Sequence, residues 1–381
     1  MSLFLLVFFC IYGGTHLYFF IKAKLAFSFG IVAGACLGLF LVAMVLAPVV
    51  VRVAEREGLE RTARVVAYIG YIWMGFLFLF ISASLLIDFY NLVLLGVSHV
   101  SHSECSLLQI PVRNAFIAAC SVGSIASLYG YFEALDIRTE RLVIESAKIP
   151  EVPGKLTIVQ ISDVHLGLIV REERLRRILN EVRKARPDIL VSTGDLVDGE
   201  INRLPGLAAL LGEIRPQYGK FAITGNHEVY AGLDKALDFM EKAGFRVIRN
   251  EAVSVGKNLT IAGVDDPALR LRNPSLSIDE KGILSSISHD RFVLLLKHRP
   301  VVVKENLGTF DLQLSGHVHK GQIFPFNLVT HLFYPVKMGY SRYPSGSSLY
   351  VSMGAGTWGP PIRLLAPPEV TIIELVHGSG S

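Results

Sequence analysis

Charge is scarce in this sequence: 18% of its 381 residues are charged against 51% hydrophobic, and the mean hydropathy is +0.46. A chain this apolar is not an ordinary soluble enzyme. Its net charge of +4 is spread along the chain, and nothing in it points to nucleic-acid reading. Cysteine is equally sparse. Cys10, Cys36, Cys105 and Cys120 fall within or beside apolar segments with no metal-like pairing, so no structural disulfide is implied. Cys10 also lacks the small-residue context of a lipidated cysteine and reads as a packing residue. No basic residue precedes Leu3, which argues against a cleaved signal peptide.

The apolar excess sits in the first 135 or so residues, whereas the part after Arg138 has ordinary charge density. Four segments, 3–21, 28–50, 65–87 (extendable to 97) and 114–133, reach the roughly 20 residues needed to cross a ~30 Å hydrocarbon core. Basic residues set the expected orientation. Arg52, Arg56, Arg61, Arg64, Arg138, Arg141 and Lys148 lie on one side of these spans, and Lys22, Lys24 and Arg113 on the other. Both termini and the C-terminal part are therefore expected in the cytoplasm. Asp88, after a long apolar run, reads as an interfacial residue at the end of span three, the alternative being a functional ionisable group in the bilayer. His16 reads as an interior hydrogen-bonding residue, and Glu55 to Arg64 as an amphipathic surface connector.

Beyond Arg138 strand and helix alternate, which argues a layered α/β sandwich. Expected elements are an edge strand at 141–146, helices at 172–185, 204–214 and 232–243, and a strand at 246–248, with short strands dominating after Val253. Five apolar runs in this part end in metal-competent residues. Ile158-Val-Gln-Ile-Ser leads into Asp163-Val-His165, and Ile189-Leu-Val-Ser-Thr into Gly194-Asp195. Phe221-Ala-Ile-Thr leads into Gly225-Asn226-His227-Glu228, Phe292-Val-Leu-Leu-Leu-Lys into His298, and Leu312-Gln-Leu-Ser into Gly316-His317-Val318-His319. Alternate residues of an extended segment project to one side, so Asp-x-His can put an oxygen and a nitrogen on one cation. The glycines at 194, 225 and 316 are expected to turn the backbone sharply where the ligands converge.

The order D-x-H, G-D, G-N-H-E, H, G-H-x-H resembles the calcineurin-like metallophosphoesterases, over roughly residues 155 to 376. The resemblance implies that Asp163, His165 and His319 hold one metal, that Asn226, His298 and His317 hold a second, and that Asp195 bridges them. It makes His227 a proton donor or electrostatic partner of the phosphoryl group rather than a ligand. Mixed carboxylate, amide and imidazole donors suit manganese, taken first here, or iron or zinc. The expected architecture is thus α/β overall: a four-helix transmembrane N-terminal domain, residues 1–136, followed by a layered α/β metallophosphoesterase sandwich, residues 137–377. The terminal Gly378-Ser-Gly-Ser reads as a cloning remnant.

Three further features bear on substrate. Helix 172–185 and its flanks carry Arg171, Arg174, Arg176, Arg177, Arg183, Lys184 and Arg186, read as a solvated face, the alternative being a basic surface toward anionic headgroups. The segment Gly354 to Arg363 is similar to a loop near the metal site in membrane-associated members of the family. Trp358 and Arg363 in it, with Lys320 and Asp266 (beside Asp265), are candidate substrate contacts. The expected function is a hydrolase, in the inner membrane of a bacterium, cleaving a phosphodiester or pyrophosphate bond in a phosphorylated, amphipathic substrate. The resemblance makes a lipid-linked pyrophosphate such as UDP-diacylglucosamine of lipid A synthesis the named candidate. Alternatives are an anchored phosphodiesterase or phosphatase on nucleotides or phosphoproteins, and a non-catalytic receptor or scaffold. The oligomeric state is not legible.

Overall fold

The computed structural model describes residues 2–102, 106–152, 154–199, 205–271, 273, 275–276, 278–336 and 338–378. Cys105, the loop 200–204 and residues 379–381 of the terminal tail lie outside them. The chain divides into two compact units, Met1–Phe132 with Gly359–Leu364, and Glu133–Trp358 with Leu365–Ser381.

The first unit consists of α1 (Ser2–Phe27), α2 (Ile31–Arg56), α3 (Glu60–Ser101) and α4 (Val112–Glu133). All four are long and apolar enough to cross a membrane. Tyr12, Phe19, Leu41, Leu77, Phe80 and Phe116 pack together at its centre, while Ile31, Val32, Leu39 and Leu86 remain exposed. Apolar side chains on the outside and in the middle alike are what a lipid-facing bundle requires. The described cysteines are free.

Two expectations change here. The Glu55 to Arg64 connector is not a separate element: α2 runs through Arg56 and α3 begins at Glu60, leaving only a tight turn. With 42 residues, α3 is about 63 Å long, roughly twice the hydrocarbon thickness. Asp88 lies within α3, at the end of the expected span. It pairs with Lys22 of α1 at 2.5 Å and accepts from Tyr18 Oη at 2.8 Å. A charge within an apolar bundle needs such partners to offset its desolvation. The reading of His16 holds: Trp73 Nε1 donates to its Nε2 at 2.9 Å, so its Nδ1 carries the proton toward the Tyr12 carbonyl at 2.7 Å.

The segment Gly359–Leu364 belongs to this first unit. The Arg363 N–H donates to the Gly130 carbonyl of α4 at 2.9 Å. A Cβ on Gly130 would stand 2.5 Å from Ile362 Cγ2 and 2.7 Å from the Arg363 carbonyl oxygen, so the close approach depends on glycine.

The second unit runs β1 (Arg138–Ser146), β2 (Lys155–Ile161), α5 (Glu172–Ala185), β3 (Ile189–Ser192), α6 (Pro205–Gly212), β4 (Lys220–Ala222), α7 (Asn226–Ala231), α8 (Leu233–Lys242) and β5 (Arg246–Val247). It continues with β6 (Glu251–Val255), β7 (Leu259–Val264), α9 (Glu280–Ser285), β8 (Phe292–Lys297), β9 (Leu312–Ser315), α10 (Phe326–Phe333), β10 (Gly339–Arg342), β11 (Ser348–Val351) and β12 (Glu369–His377). Two six-stranded sheets form, ordered β1-β12-β2-β3-β4-β5 and β10-β11-β9-β8-β7-β6. Strands β2 to β5 are parallel, as are β7, β8, β9 and β11. Their near-continuous apolar runs fit strands covered on both faces. Ile158, Val191 and Ile223 of the first sheet meet Ile261, Leu294 and Leu314 of the second in one core. The layered α/β sandwich is the observed architecture.

Helix α5 buries Leu175, Ile178, Leu179 and Val182, one face at three- and four-residue spacing. Its charged face is self-neutralising: Arg176 pairs with Glu172, Arg177 with Glu173, Lys184 with Glu181, and Arg183 with Glu213. The solvated-face reading fits these pairs. Arg174 departs from it, being buried with Nη1 donating to Thr357 Oγ1 at 2.9 Å.

Candidate metal centre

The C-terminal ends of β2, β3, β8 and β9, and the start of α7 after β4, converge at one place. The chain turns there through the ligand residues themselves. Asp163, His165, Asp195, His317 and His319 all have positive φ, between 47° and 74°. That left-handed backbone costs roughly 1–2 kcal/mol per residue for an L-amino acid, and strain of this kind concentrates at functional sites. Specific bonds hold it. The Asp163 N–H donates to Gly194 O and the His165 N–H to Asp195 O, both at 3.0 Å, and the His317 N–H reaches the Asp163 carboxylate at 3.0 Å. Only Gly194, at φ +95°, acts as the sharp turn expected of the glycines. Gly225 and Gly316 serve close approach instead: a Cβ would stand 2.2 Å from Asp195 Oδ1 at the first, and 2.1 Å from Asp163 Oδ2 at the second.

Candidate ligand atoms fall into three groups, Asp163 with His165 and His319, Asp195 with His298 and His317, and a linking group of His165, Asp195 and His227. Asp163 Oδ1 is 3.4 Å from His319 Nε2, which is 3.1 Å from His165 Nε2. His298 Nε2 is 3.2 Å from Asp195 Oδ2 and 3.1 Å from His317 Nδ1. Donors about 2.0–2.2 Å from a common ion lie roughly 3.0–3.5 Å from one another, so these spacings fit coordination. Asp195 Oδ2 is also 3.9 Å from His165 Nε2, which sets this carboxylate between the two groups. Asn226 Oδ1 is buried and has no hydrogen-bond partner among the described residues, as has His165 Nδ1. An orphaned amide oxygen directly after Gly225, which abuts Asp195, fits a ligand to a cation. The residues present therefore suit two divalent ions, with Asp163, His165 and His319 on one, Asn226, His298 and His317 on the other, and Asp195 shared.

Electrostatics agree with a site built around positive charge. Burial works against ionisation of Asp163, but the His319 and His298 imidazoles outweigh it and hold the carboxyl well below its usual range. Burial, then the His227 charge, lowers His165 to about 3, and burial, then His298, lowers His317 to about 4. Both imidazoles are thus neutral and ready to coordinate. Burial opposes the charge on His298, but Asp195 raises it to about 10, so a cation binding there displaces a proton.

His227 stands beside this cluster. Its Nδ1 is 2.9 Å from Asp198 Oδ1, and its N–H donates to Asp195 Oδ1 at 2.8 Å. Burial opposes its charge, yet Asp195 and Asp198 raise it to about 9; two cations nearby would draw that value back down. Of the candidate substrate contacts, Trp358 is brought to the site, its ring 5.9 Å from that of His227 and 54% exposed. Its backbone is held by reciprocal bonds with the Gln322 amide at 2.8 and 2.9 Å. Lys320 follows His319 directly, half-buried with φ 52°. The other two are placed differently. Asp266 is buried in a bidentate pair with Arg299 at 2.8 and 3.0 Å, next to His298. Arg363 is fully buried, and its backbone N–H bonds to Gly130 of α4 within the first unit.

Two acids have roles that the sequence reading did not assign. Glu228 is fully buried and accepts four backbone N–H groups, from Gly225 at 2.7, Leu196 at 2.8, Asp195 at 2.9 and Val197 at 3.2 Å. It caps α7 and shapes the Asp195 loop at once. Asp198 orients His227. The available signals were Glu228 at the third position of a helix opening on Gly-Asn-His-Glu, and a second acid three residues after Asp195.

The calcineurin-like phosphoesterase family model matches residues 156–321. An uncharacterized metallophosphoesterase of Aquifex aeolicus is 40% identical over 261 residues, covering 68% of this chain and 99% of that protein. One from Bacillus subtilis is 35% identical over 265 residues, covering 65% and 89%. A transmembrane protein with metallophosphoesterase domain from Danio rerio is 31% identical over 271 residues, covering 68% and 62%. The chain belongs to the calcineurin-like metallophosphoesterases. With its four apolar helices it is a membrane protein of that family.

Asp198 meets the cluster through His227, which makes it a positioning residue. Asp198→Asn is expected to lower kcat by about 10–100-fold with metal content and KM unchanged. The alkaline limb of the pH–rate profile should move to lower pH, because His227 loses a charge that favours its protonated form. An unaltered profile with unaltered kcat would remove that role.

Proposed function

We propose that this chain is a membrane-anchored two-metal hydrolase that cleaves a phosphodiester or pyrophosphate bond in a substrate met at the bilayer surface. The observation that supports it most is the position of Asp195 Oδ2, between the imidazoles of His298 and His165. Two divalent ions held there, manganese in our first choice, would supply Lewis-acid charge to the phosphoryl oxygens and acidify the attacking water. His227, held by Asp198, donates a proton to the leaving oxygen. The exposed Trp358 ring offers a stacking face for the organic part of the substrate. A binding-only scaffold gives no reason for five strained ligand residues around orphaned donors.

The substrate class rests on the four spans, which an enzyme acting on soluble esters does not need. Within it, a lipid-linked pyrophosphate such as UDP-diacylglucosamine is our specific reading, carried by the family resemblance alone. Water would attack one phosphorus, releasing UMP and a lipid phosphate. Burial of an acyl chain contributes about 0.8 kcal/mol per methylene, so an acylated substrate should show a far lower KM than its de-acylated analogue in mixed micelles. Equal kcat/KM for bis(p-nitrophenyl) phosphate and the acylated compound would sink the lipid reading and favour an anchored general phosphodiesterase or phosphatase.

We place the second unit in the cytoplasm, at the inner membrane of a bacterium. Arg52, Arg56, Arg61, Arg64, Arg138, Arg141 and Lys148 support that side, and of the opposing charges Lys22 is neutralised by Asp88. In a chain whose native cysteines are replaced by alanine, a reporter at the exposed Ser288 (Ser288→Cys) should react with an impermeant maleimide only after lysis. Labelling in intact cells would reverse the orientation.

A further inference from the structure

We infer that α10 is a bilayer-docking helix that lays the rim of the metal centre against an anionic lipid surface. This goes beyond the reaction proposed above, and rests on it only in meeting the substrate at the membrane. The helix, Phe-Asn-Leu-Val-Thr-His-Leu-Phe, has no acid and no Lys or Arg, and none of its residues is buried. Leu328, Leu332 and Phe333 are 62%, 80% and 73% exposed. An eight-residue helix with no buried residue gains little from its own hydrogen bonds in water. Its apolar surface calls for an apolar environment.

Two contacts tie α10 to the ligands. It follows the His319 turn, where Gly321 at φ +83° lies so close that a Cβ would stand 2.5 Å from the Asn327 backbone. At its other end the Tyr334 ring is 5.4 Å from that of His317. Whatever α10 docks on is therefore held at the mouth of the site.

Charge selects the occupant. No Asp or Glu occurs between Asp311 and Glu369, while Lys320, Lys337 and Arg342 flank the helix in sequence. Basic residues near a negative leaflet, with exposed aromatics such as Phe326 and Tyr340 beside them, are the pattern of an interfacial helix. A second copy of the chain would bring the same basic flanks against themselves. The bilayer, by contrast, is present beside every copy through the four spans of the first unit.

The test uses the full chain in nanodiscs of phosphatidylethanolamine and phosphatidylglycerol, with and without brominated acyl chains. The emission added by Leu332→Trp over the parent chain should be quenched by the brominated lipid. A Leu332→Asp, Phe333→Asp double variant should keep its turnover of bis(p-nitrophenyl) phosphate in detergent, yet lose about tenfold on a nanodisc-embedded substrate. If the parent turns over no lipid substrate, the proposed reaction fails but quenching still reports docking. Unquenched emission overturns the inference, and cross-linking between Leu332→Cys copies alongside it would assign the face to a second copy.

Discussion

One carboxylate oxygen, Oδ2 of Asp195, lies between imidazoles delivered by two different sheets, His165 after β2 and His298 after β8. Placing a fully buried negative charge there is costly unless positive charge comes with it. In the protein alone that charge is a proton on His298, with another on His227. Divalent cations satisfy the same need more fully, and the neutral His165 and His317 are poised to receive them. Much of the surrounding backbone serves this one atom: Glu228 grips the Asp195 loop, and Gly225 is bare so that the carboxylate fits.

Strain explains why the site works as a unit. Five ligand residues in left-handed backbone cannot hold that conformation singly, and three of them are bonded to another ligand loop, Asp163 to Gly194, His165 to Asp195, His317 to Asp163. The two sheets are therefore coupled at their C-terminal ends by the site as well as by the core between them. Loss of one loop loosens the others, so the ligands behave cooperatively rather than as independent donors.

The ligand set was readable because each member sits at the end of its own apolar run, where strand periodicity stops and glycine or polar residues begin. The layered sheets followed from the alternation of those runs with helices. What escaped depends on distance in sequence. Asp88 and Lys22 are 66 residues apart, so their pairing left no local mark, and the length of α3 was hidden by the charged residues at its start. The packing of the Arg363 loop against α4 left no local mark either, because the Gly130 that admits it lies far away in sequence. Helix α10 has no core face, so apolar periodicity could not distinguish it from a strand. The left-handed ligands were invisible for a plainer reason: aspartate and histidine do not announce positive φ as glycine does.

The most direct test of the shared-carboxylate account is electron paramagnetic resonance of the manganese-loaded chain, with metal content measured on the same sample. The wild-type chain should hold two ions per molecule with exchange-coupled spectra, and Asp195→Ala should lose the coupling, at least one ion and turnover, while His227→Ala keeps both ions and the coupling. A single ion per chain, two uncoupled ions in the wild type, or full turnover in Asp195→Ala would contradict it.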